Sequence, residues 1–209
     1  LRAKKTETGD MLVFLPGAGE INRVFDMLDG ALRNDRIDVR PLYGMLPAAE
    51  QDAALFPSPE GRRRVVLATD IAESSLTVEG VRIVIDAGLS RVPRFDVRTG
   101  MTRLRTVTAS RSSADQRAGR AGRQMPGVAY RLWSKLEHAT RRTDLDPEIT
   151  QVDLCGLALE LAEWGSPDGA GLRWLDAPPA RALNDGRSLL TTLGALDDDG
   201  RVTPLGRKF

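Results

Sequence analysis

Residues 64–86 read Arg64-Val-Val-Leu-Ala-Thr-Asp-Ile-Ala-Glu-Ser-Ser-Leu-Thr-Val-Glu-Gly-Val-Arg-Ile-Val-Ile-Asp86. Two short apolar runs flank a polar segment, and we predict that each run, 64–68 and 81–86, is a strand. Strands whose apolar residues do not alternate with polar ones are buried on both faces, as in a parallel sheet covered by helices. This stretch therefore predicts an α/β fold.

The sequence on either side alternates strand and helix patterns in the same way. Residues 11–15 form a continuous apolar run, and residues 19–32 carry apolar side chains at helical spacing. Strands separated by helices indicate a parallel sheet with helices on both faces. The remaining predicted elements are a strand at 39–42, a helix at 48–56, a hairpin at 90–108 that turns near residues 96–100, and a last strand at 127–133.

A run of arginines separated by small residues follows, in Ser112-Ser-Ala-Asp-Gln-Arg-Ala-Gly-Arg-Ala-Gly-Arg123. On a helix, Arg117, Arg120 and Arg123 would share one face, because side chains three positions apart are neighbours. Guanidinium groups beside the amide of Gln116 suit a polyphosphate, and such arginines stabilise charge on a transferring phosphoryl group. Nucleotide hydrolysis is the leading hypothesis, and a solvated basic helix end is the alternative. The two glycines disfavour a helix by about 1 kcal/mol each, a cost that a solvated surface does not require.

Beyond residue 147 the pattern changes to helices without strands between them. Apolar residues at helical spacing predict helices over residues 154–164 and 181–193. Residues 193–206 then contain a turn flanked by two short strand candidates. We therefore predict two domains, residues 1–147 and residues 148–209, of which the second is small and mainly helical.

Composition is that of a soluble globular protein. The 209 residues are 41% hydrophobic and 28% charged, with a mean hydropathy of −0.27. No apolar run approaches the roughly 18 residues of a membrane span, so we expect a cytoplasmic protein. Cys155 lies in an apolar helical stripe and is expected to pack there. Since His138 is the only histidine, we expect no Cys/His or Ser/His nucleophilic pair and no metal site.

The formal net charge of +1 combines two oppositely charged regions. Residues 91–123 contain nine arginines and two aspartates, whereas residues 144–200 contain twelve acidic residues and three arginines. Positive charge concentrated in this way is typical of a lobe that binds both a nucleotide and a nucleic-acid backbone. We expect the first region, and not the second, to meet phosphates.

The arginine run resembles motif VI of superfamily 2 helicases, Gln-Arg-x-Gly-Arg-x-Gly-Arg. Residues 65–81 resemble motif V of the DEAH-box branch and depart from it at Asp70, where Asn is common, and at Ser74, where Thr is common. Met11-Leu-Val-Phe-Leu-Pro-Gly-Ala-Gly-Glu-Ile21 resembles motif IV. The three motifs occur in the order found in this family.

The resemblance covers essentially the whole chain. Four further segments are similar to bacterial HrpB-type helicases: Pro126-Gly-Val-Ala-Tyr-Arg-Leu-Trp133, Pro147-Glu-Ile149, Trp164-Gly165 and Leu175-Asp-Ala-Pro-Pro179. The resemblance implies a second RecA-like lobe over residues 1–147, with helices on both faces of a parallel sheet, and a winged-helix unit over residues 148–209.

The resemblance also implies an activity, that of an ATP-dependent RNA or DNA helicase that translocates on a single strand. In this family ATP lies between two RecA-like lobes, and the first lobe carries a phosphate loop and an Asp-Glu-Ala-His box. Neither motif occurs in this sequence, so we expect the chain to be a second lobe that is inactive alone. Its cofactor would be ATP with Mg²⁺, the metal held mainly by the first lobe. Its partners would be that lobe and single-stranded RNA or DNA, with no membrane.

Site roles follow from the same resemblance. Gln116 would position the attacking water or the γ-phosphate, and Arg120 and Arg123 would be arginine fingers, whereas Arg117 would face the protein. Nucleotide contacts are expected from Ser75, Glu79 and Phe56, and nucleic-acid contacts from Thr69, Thr77, Arg91 and Arg94. For Phe56, a core contact is the alternative to stacking on adenine. For the whole chain, the alternative is a non-catalytic nucleic-acid-binding or partner-binding module of the same fold.

Overall fold

The computed structural model describes residues 6–32, 36–58, 60–73, 76–123 and 125–209. The chain forms two compact units. The first comprises Leu1–Val92 and Thr106–Leu145, and the second comprises Pro93–Arg105 and Asp146–Phe209.

The first unit is built on a five-stranded parallel sheet, as the sequence predicts. Its strands are β1 (Asp10–Phe14), β2 (Ile37–Leu42), β3 (Arg63–Ala68), β4 (Val81–Asp86) and β7 (Val128–Arg131). They lie in the order β2-β3-β1-β4-β7, and every neighbouring pair is parallel. Val13 of the central strand pairs with Leu67 on one side and Ile85 on the other.

Helices cover both faces of this sheet. The helix α1 (Ala18–Leu32) packs Ile21 and Leu32 against one face of the sheet. Alternate residues of each strand point toward this face. The helix α2 (Ala48–Leu55) packs Ala54 against the other face. The helix α3 (Arg111–Gly119) lies on the same face as α2, since its Arg117 guanidinium sits over the Phe14 ring. A short helix, α4 (Lys135–Thr140), follows β7.

The predicted helix over the whole arginine run is wrong. The helix α3 ends at Gly119, so Arg120 and Arg123 follow it and do not share a helix face with Arg117. There are two physical reasons for this end. Gly119 has a low helix propensity. Ala121 packs into the buried cluster on the face of the sheet that α2 covers. The helix therefore ends one residue before Arg120, which is the C-cap with backbone angles of φ −67° and ψ −30°.

The predicted hairpin is confirmed. The strands β5 (Leu89–Asp96) and β6 (Met101–Thr108) form a separate two-stranded sheet. The turn closes with a hydrogen bond of 2.9 Å from the Gly100 amide to the Asp96 carbonyl. Gly100 has φ +64°, a conformation that glycine adopts without steric cost. The tip of this hairpin belongs to the second unit.

In the second unit, two predicted helices are present as α5 (Cys155–Glu163) and α6 (Ala180–Thr192). They pack through a small core with an antiparallel bridge between Leu196 and Val202 beside it. Burial raises the pKa of the Cys155 thiol to about 11, which keeps it protonated at neutral pH. Among the described residues, no helix is both long and apolar enough to cross a lipid bilayer.

Candidate nucleotide site

The helix α3 presents a buried face to the protein and an exposed face to solvent. Ser110 is its N-cap, and the Ser110 side-chain oxygen accepts a hydrogen bond of 3.1 Å from the Ser113 amide. Ser113, Ala114 and Arg117 are buried, whereas Gln116 is exposed. Gln116 and Arg117 are neighbours in the chain, but Gln116 lies on the exposed face of α3 and Arg117 on its buried face.

Arg117 is fully buried and joins three acidic side chains from other elements. Its Nη2 lies 2.5 Å from Asp70 Oδ1, its Nε 2.9 Å from Glu73 Oε2, and its Nη1 3.0 Å from Asp86 Oδ1. It also donates to the Ser90 hydroxyl at 2.7 Å. Burial lowers the pKa of Arg117, but these carboxylates outweigh burial and raise it. The prediction that Arg117 faces the protein is confirmed.

Asp70 is one of the three carboxylates that contact Arg117. Burial raises the pKa of Asp70 to about 6, and the nearby Arg117 guanidinium opposes the shift only in part. Asp70 begins a short 3₁₀ helix, Asp70–Ala72, directly after β3. The position at which this chain departs from the common Asn of motif V therefore lies beside the buried arginine.

Arg120 turns back toward the segment between β3 and β4. Its Nε donates to the Glu73 carbonyl at 2.9 Å, and its Nη1 donates to the Leu76 carbonyl at 3.0 Å. Its Nη2 also donates to the Glu73 carbonyl. Partial burial and the positive charge of Arg123 lower the pKa of Arg120. Because the two guanidinium groups repel each other, an anion bound between or beside them would be stabilised.

The three residues predicted to be catalytic line one open pocket. Gln116, Arg120 and Arg123 surround a concavity of about 420 Å³ together with Glu73 and Gly119. Gln116 and Arg123 are exposed. An amide and two guanidinium groups can all donate hydrogen bonds to phosphate oxygens. The pocket can therefore bind a polyphosphate group, although its three residues do not lie on one helix.

Phe56 and Glu79, two predicted nucleotide contacts, are held near each other by a buried arginine. Arg64 is 1% exposed and pairs with Asp10 at 2.7 Å. Its guanidinium also donates to the backbone carbonyls of Ala54, Phe56 and Glu79. The Phe56 side chain is 57% exposed, so the alternative of a core aromatic is wrong. The third predicted contact, Ser75, lies outside the described residues.

The predicted nucleic-acid contacts fall into two groups. Thr69 is half-buried directly after β3, and Thr77 is exposed before β4. Arg91 and Arg94 belong to the hairpin and each pairs with a carboxylate, Glu20 at 3.2 Å and Asp146 at 3.8 Å respectively. Both arginine side chains remain more than one-third exposed.

Three residues that organise the site were missed by sequence reasoning: Arg64, Glu73 and Asp86. Arg64 lies near the start of the apolar strand β3, and Asp86 is the last residue of the apolar strand β4. A charged residue in a buried strand indicates a buried ion pair. The role of Glu73 has no comparable signal, because it depends on residues 40 or more positions away.

Comparison with known proteins identifies the family. Residues 1–125 match the family model "Helicase conserved C-terminal domain", and residues 187–209 match "Helicase associated domain (HA2), winged-helix". The chain belongs to the helicase conserved C-terminal domain family. The predicted helicase resemblance is confirmed by this match.

Individual helicases are similar over nearly the full chain. It is 47% identical to the ATP-dependent RNA helicase HrpB of Escherichia coli over 98% of this chain and 25% of that protein. It is 41% identical to a probable ATP-dependent RNA helicase DHX35 homolog of Caenorhabditis elegans, over 97% of this chain and 28% of that protein. The chain thus spans about a quarter of the length of these relatives.

A solved structure is similar in fold. The crystal structure of the Escherichia coli DEAH/RHA helicase HrpB matches with a TM-score of 0.90 and 46% identity, covering 99% of this chain and 26% of that chain. The predicted RecA-like α/β fold of this helicase domain, followed by a winged-helix unit, is confirmed.

Proposed function

We propose that this chain is the second nucleotide-binding lobe, residues 1–147, and the winged-helix unit, residues 148–209, of a cytoplasmic ATP-dependent helicase. The proposal rests on one observation, the open pocket lined by Gln116, Arg120 and Arg123. The relatives are named as ATP-dependent RNA helicases, which favours single-stranded RNA over DNA as the nucleic acid.

The roles proposed for the pocket residues follow from their chemistry. Arg120 and Arg123 would stabilise negative charge on the γ-phosphoryl group in the transition state, and Gln116 would orient the attacking water or the γ-phosphate. Phe56, exposed beside Glu79, would stack on the adenine, and Ser75 and Glu79 would complete the nucleotide contacts. Because the pocket is open, a first lobe must close over ATP before these groups can act.

Mg²⁺ is the metal that the family resemblance implies together with ATP. Within residues 6–32, 36–58, 60–73, 76–123 and 125–209, no group of three or more His, Cys, Asp or Glu side chains could hold a metal ion. We propose that residues of the first lobe would provide most of the ligands of the metal, which would supply positive charge to neutralise the phosphates.

Strand binding is assigned to Thr69, Thr77, Arg91 and Arg94. These groups would contact the phosphate backbone and not the base edges, so binding would depend little on sequence. Lobe closure on ATP and opening after hydrolysis would then move the bound strand.

The test replaces each of the two proposed arginine fingers by alanine in the full-length protein. Arg120→Ala and Arg123→Ala are each expected to lower ATP turnover by about 10³-fold or more, because charge developing on the γ-phosphoryl oxygens loses a fixed donor. ATP affinity should change far less. Steady-state ATPase assays and nucleotide titrations measure the two effects.

The matched control is Arg181→Ala. Arg181 has a side chain that is 91% exposed in the second unit and pairs only loosely with Asp185 at 3.9 Å. Its replacement should leave turnover unchanged. If turnover is retained in both Arg120→Ala and Arg123→Ala, the pocket is not the hydrolytic site and a non-catalytic module is favoured.

A further inference from the structure

Glu73 lies between the buried Arg117 and the open pocket and contacts both arginines with different atoms. Its carboxylate atom Oε2 accepts hydrogen bonds from Arg117 Nε at 2.9 Å and from the Ser113 hydroxyl at 2.5 Å. Its backbone carbonyl accepts from the Arg120 guanidinium. The side chain is only 18% exposed. Glu73 therefore connects the buried face of α3 to the residue that follows the helix.

These contacts restrict the Arg120 guanidinium strongly. An arginine side chain has many rotamers, and holding it in one of them costs conformational entropy. Two carbonyls, of Glu73 and Leu76, accept from Nε, Nη1 and Nη2, so the plane of the guanidinium is set before any ligand binds. Among the described residues, these bonds use three of the five N–H groups, and two remain for an anion in the pocket.

The position of the Glu73 carbonyl depends in turn on the Glu73 carboxylate. Glu73 follows the short 3₁₀ helix after β3 and forms a turn through its amide, which donates to the Asp70 carbonyl at 2.9 Å. The side chain is anchored to α3 by Arg117 and Ser113. Since Arg117 is fully buried and also bound to Asp86, this anchor is part of the rigid core of the unit.

We infer that Glu73 is the positioning residue of the Arg120 finger. Its carboxylate, held by Arg117 and Ser113, places its carbonyl where Arg120 donates, and this orients the free N–H groups of Arg120 toward the pocket. The inference rests on the proposed function, in which Arg120 acts on the γ-phosphate. Catalysis by a pre-oriented donor needs no reorganisation in the transition state, whereas a misplacement of about 1 Å can cost on the order of 10²-fold in rate.

The first experiment measures kcat and KM for ATP in the full-length protein. Glu73→Ala is expected to lower kcat by about 10²-fold with little change in KM, because the substrate is still bound but the finger is misplaced. Glu73→Gln is the matched control: both bonds use a single carboxylate oxygen, which the amide oxygen can replace. It should retain most of the activity. Thermal melting shows whether each variant is folded.

The second experiment is a double-mutant cycle. If Glu73 acts through Arg120, Glu73→Ala should cause little further loss of kcat in a protein that already carries Arg120→Ala. Should Glu73→Ala fail to fold, Glu73→Asp, which withdraws the carboxylate from Arg117, takes its place in both experiments.

The outcomes separate this inference from the function on which it rests. If the unmodified protein hydrolyses ATP and Arg120→Ala abolishes hydrolysis, the proposed function stands. The inference is then overturned by an unchanged kcat in Glu73→Ala, by failure of Glu73→Gln to restore activity, or by losses that multiply in the double mutant. If the unmodified protein does not hydrolyse ATP, it is the proposed function that fails.

Discussion

Arg117 and Arg120 are three positions apart in the chain and have opposite surroundings. Arg117 has no exposed surface and is bound by the carboxylates of Asp70, Glu73 and Asp86. Arg120 is half-buried and donates to backbone carbonyls at the edge of an open pocket. A buried guanidinium must be paired, because its desolvation is otherwise too costly, whereas a finger must keep donors for its ligand. In the proposed site, Arg117 would therefore hold the fold and Arg120 would donate to the ligand.

Asp70 makes the stability of this unit depend on pH. Its pKa is raised to about 6, so the folded protein binds the proton more tightly than the unfolded chain does. Its contribution to stability is complete below the unfolded pKa of about 4 and is lost as pH rises through about 6. We expect Asp70→Asn, which has no proton to lose, to gain stability relative to the unmodified chain as the pH rises from about 4.5 to about 7.5.

The partial exposure of Asp70 limits the size of this gain. The carboxylate is 39% exposed, so we expect no more than about 1 kcal/mol, or roughly 2–4 °C in melting temperature. Thermal melting at the two pH values measures it, with Asp198→Asn on the exposed turn before Gly200 as the control. Parallel pH profiles for the Asp70→Asn variant and the unmodified chain would contradict the assignment of the pKa shift.

The start of β7 depends on a close backbone contact. Gly127 directly precedes β7, and a Cβ at this position would overlap the carbonyl oxygens of Ala121 and Arg82. Neither oxygen belongs to a side chain that can move away. This contact joins the segment that carries the arginines to the edge of the sheet, and it requires glycine.

Gly127→Ala is therefore expected to destabilise the chain by about 1–3 kcal/mol through overpacking. The opposite result is expected for Gly30→Ala in α1, where a Cβ would meet nothing within 4 Å. Alanine should stabilise that helix by roughly 0.5–1 kcal/mol, because it loses less backbone entropy on folding. Urea unfolding of the purified chain measures both changes. Equal stability of the two variants would show that the backbone around Gly127 can relax.

The chain as a unit carries only one half of the proposed site. Its pocket is open to solvent, and Gln116 and Arg123 are exposed. Contacts between arginines and phosphates are heavily screened in such surroundings. No phosphate-loop sequence is present to hold the γ-phosphate.

We expect the purified 209-residue chain to show no ATP hydrolysis and to bind ATP analogues no tighter than the millimolar range. Single-strand binding should be weak as well. An ATPase assay and calorimetric titration with a non-hydrolysable analogue test this, with Arg123→Ala as the comparison for any weak binding. Turnover above buffer, or micromolar affinity, would mean that this chain contains a complete site.

Much of the fold follows from local sequence patterns. Both strands of residues 64–86, the helix α1 and the hairpin are present, with bounds within two residues of those predicted. Such elements depend on the spacing of apolar side chains and on turn residues, which act over a few positions. The motifs also placed Gln116, Arg120 and Arg123 among the candidate site residues, and these residues do line one pocket.

What the sequence by itself determined is therefore the order of strands and helices, the helicase family and the residue types at the site. The tertiary structure alone decided that Arg120 turns back to Glu73 and that Arg64 holds Phe56 near Glu79. Each of these depends on burial and on hydrogen bonds between distant parts of the chain, such as Arg120 with Glu73. No local pattern contains that information, because the free energy of burying a charge depends on partners that only the folded chain brings together.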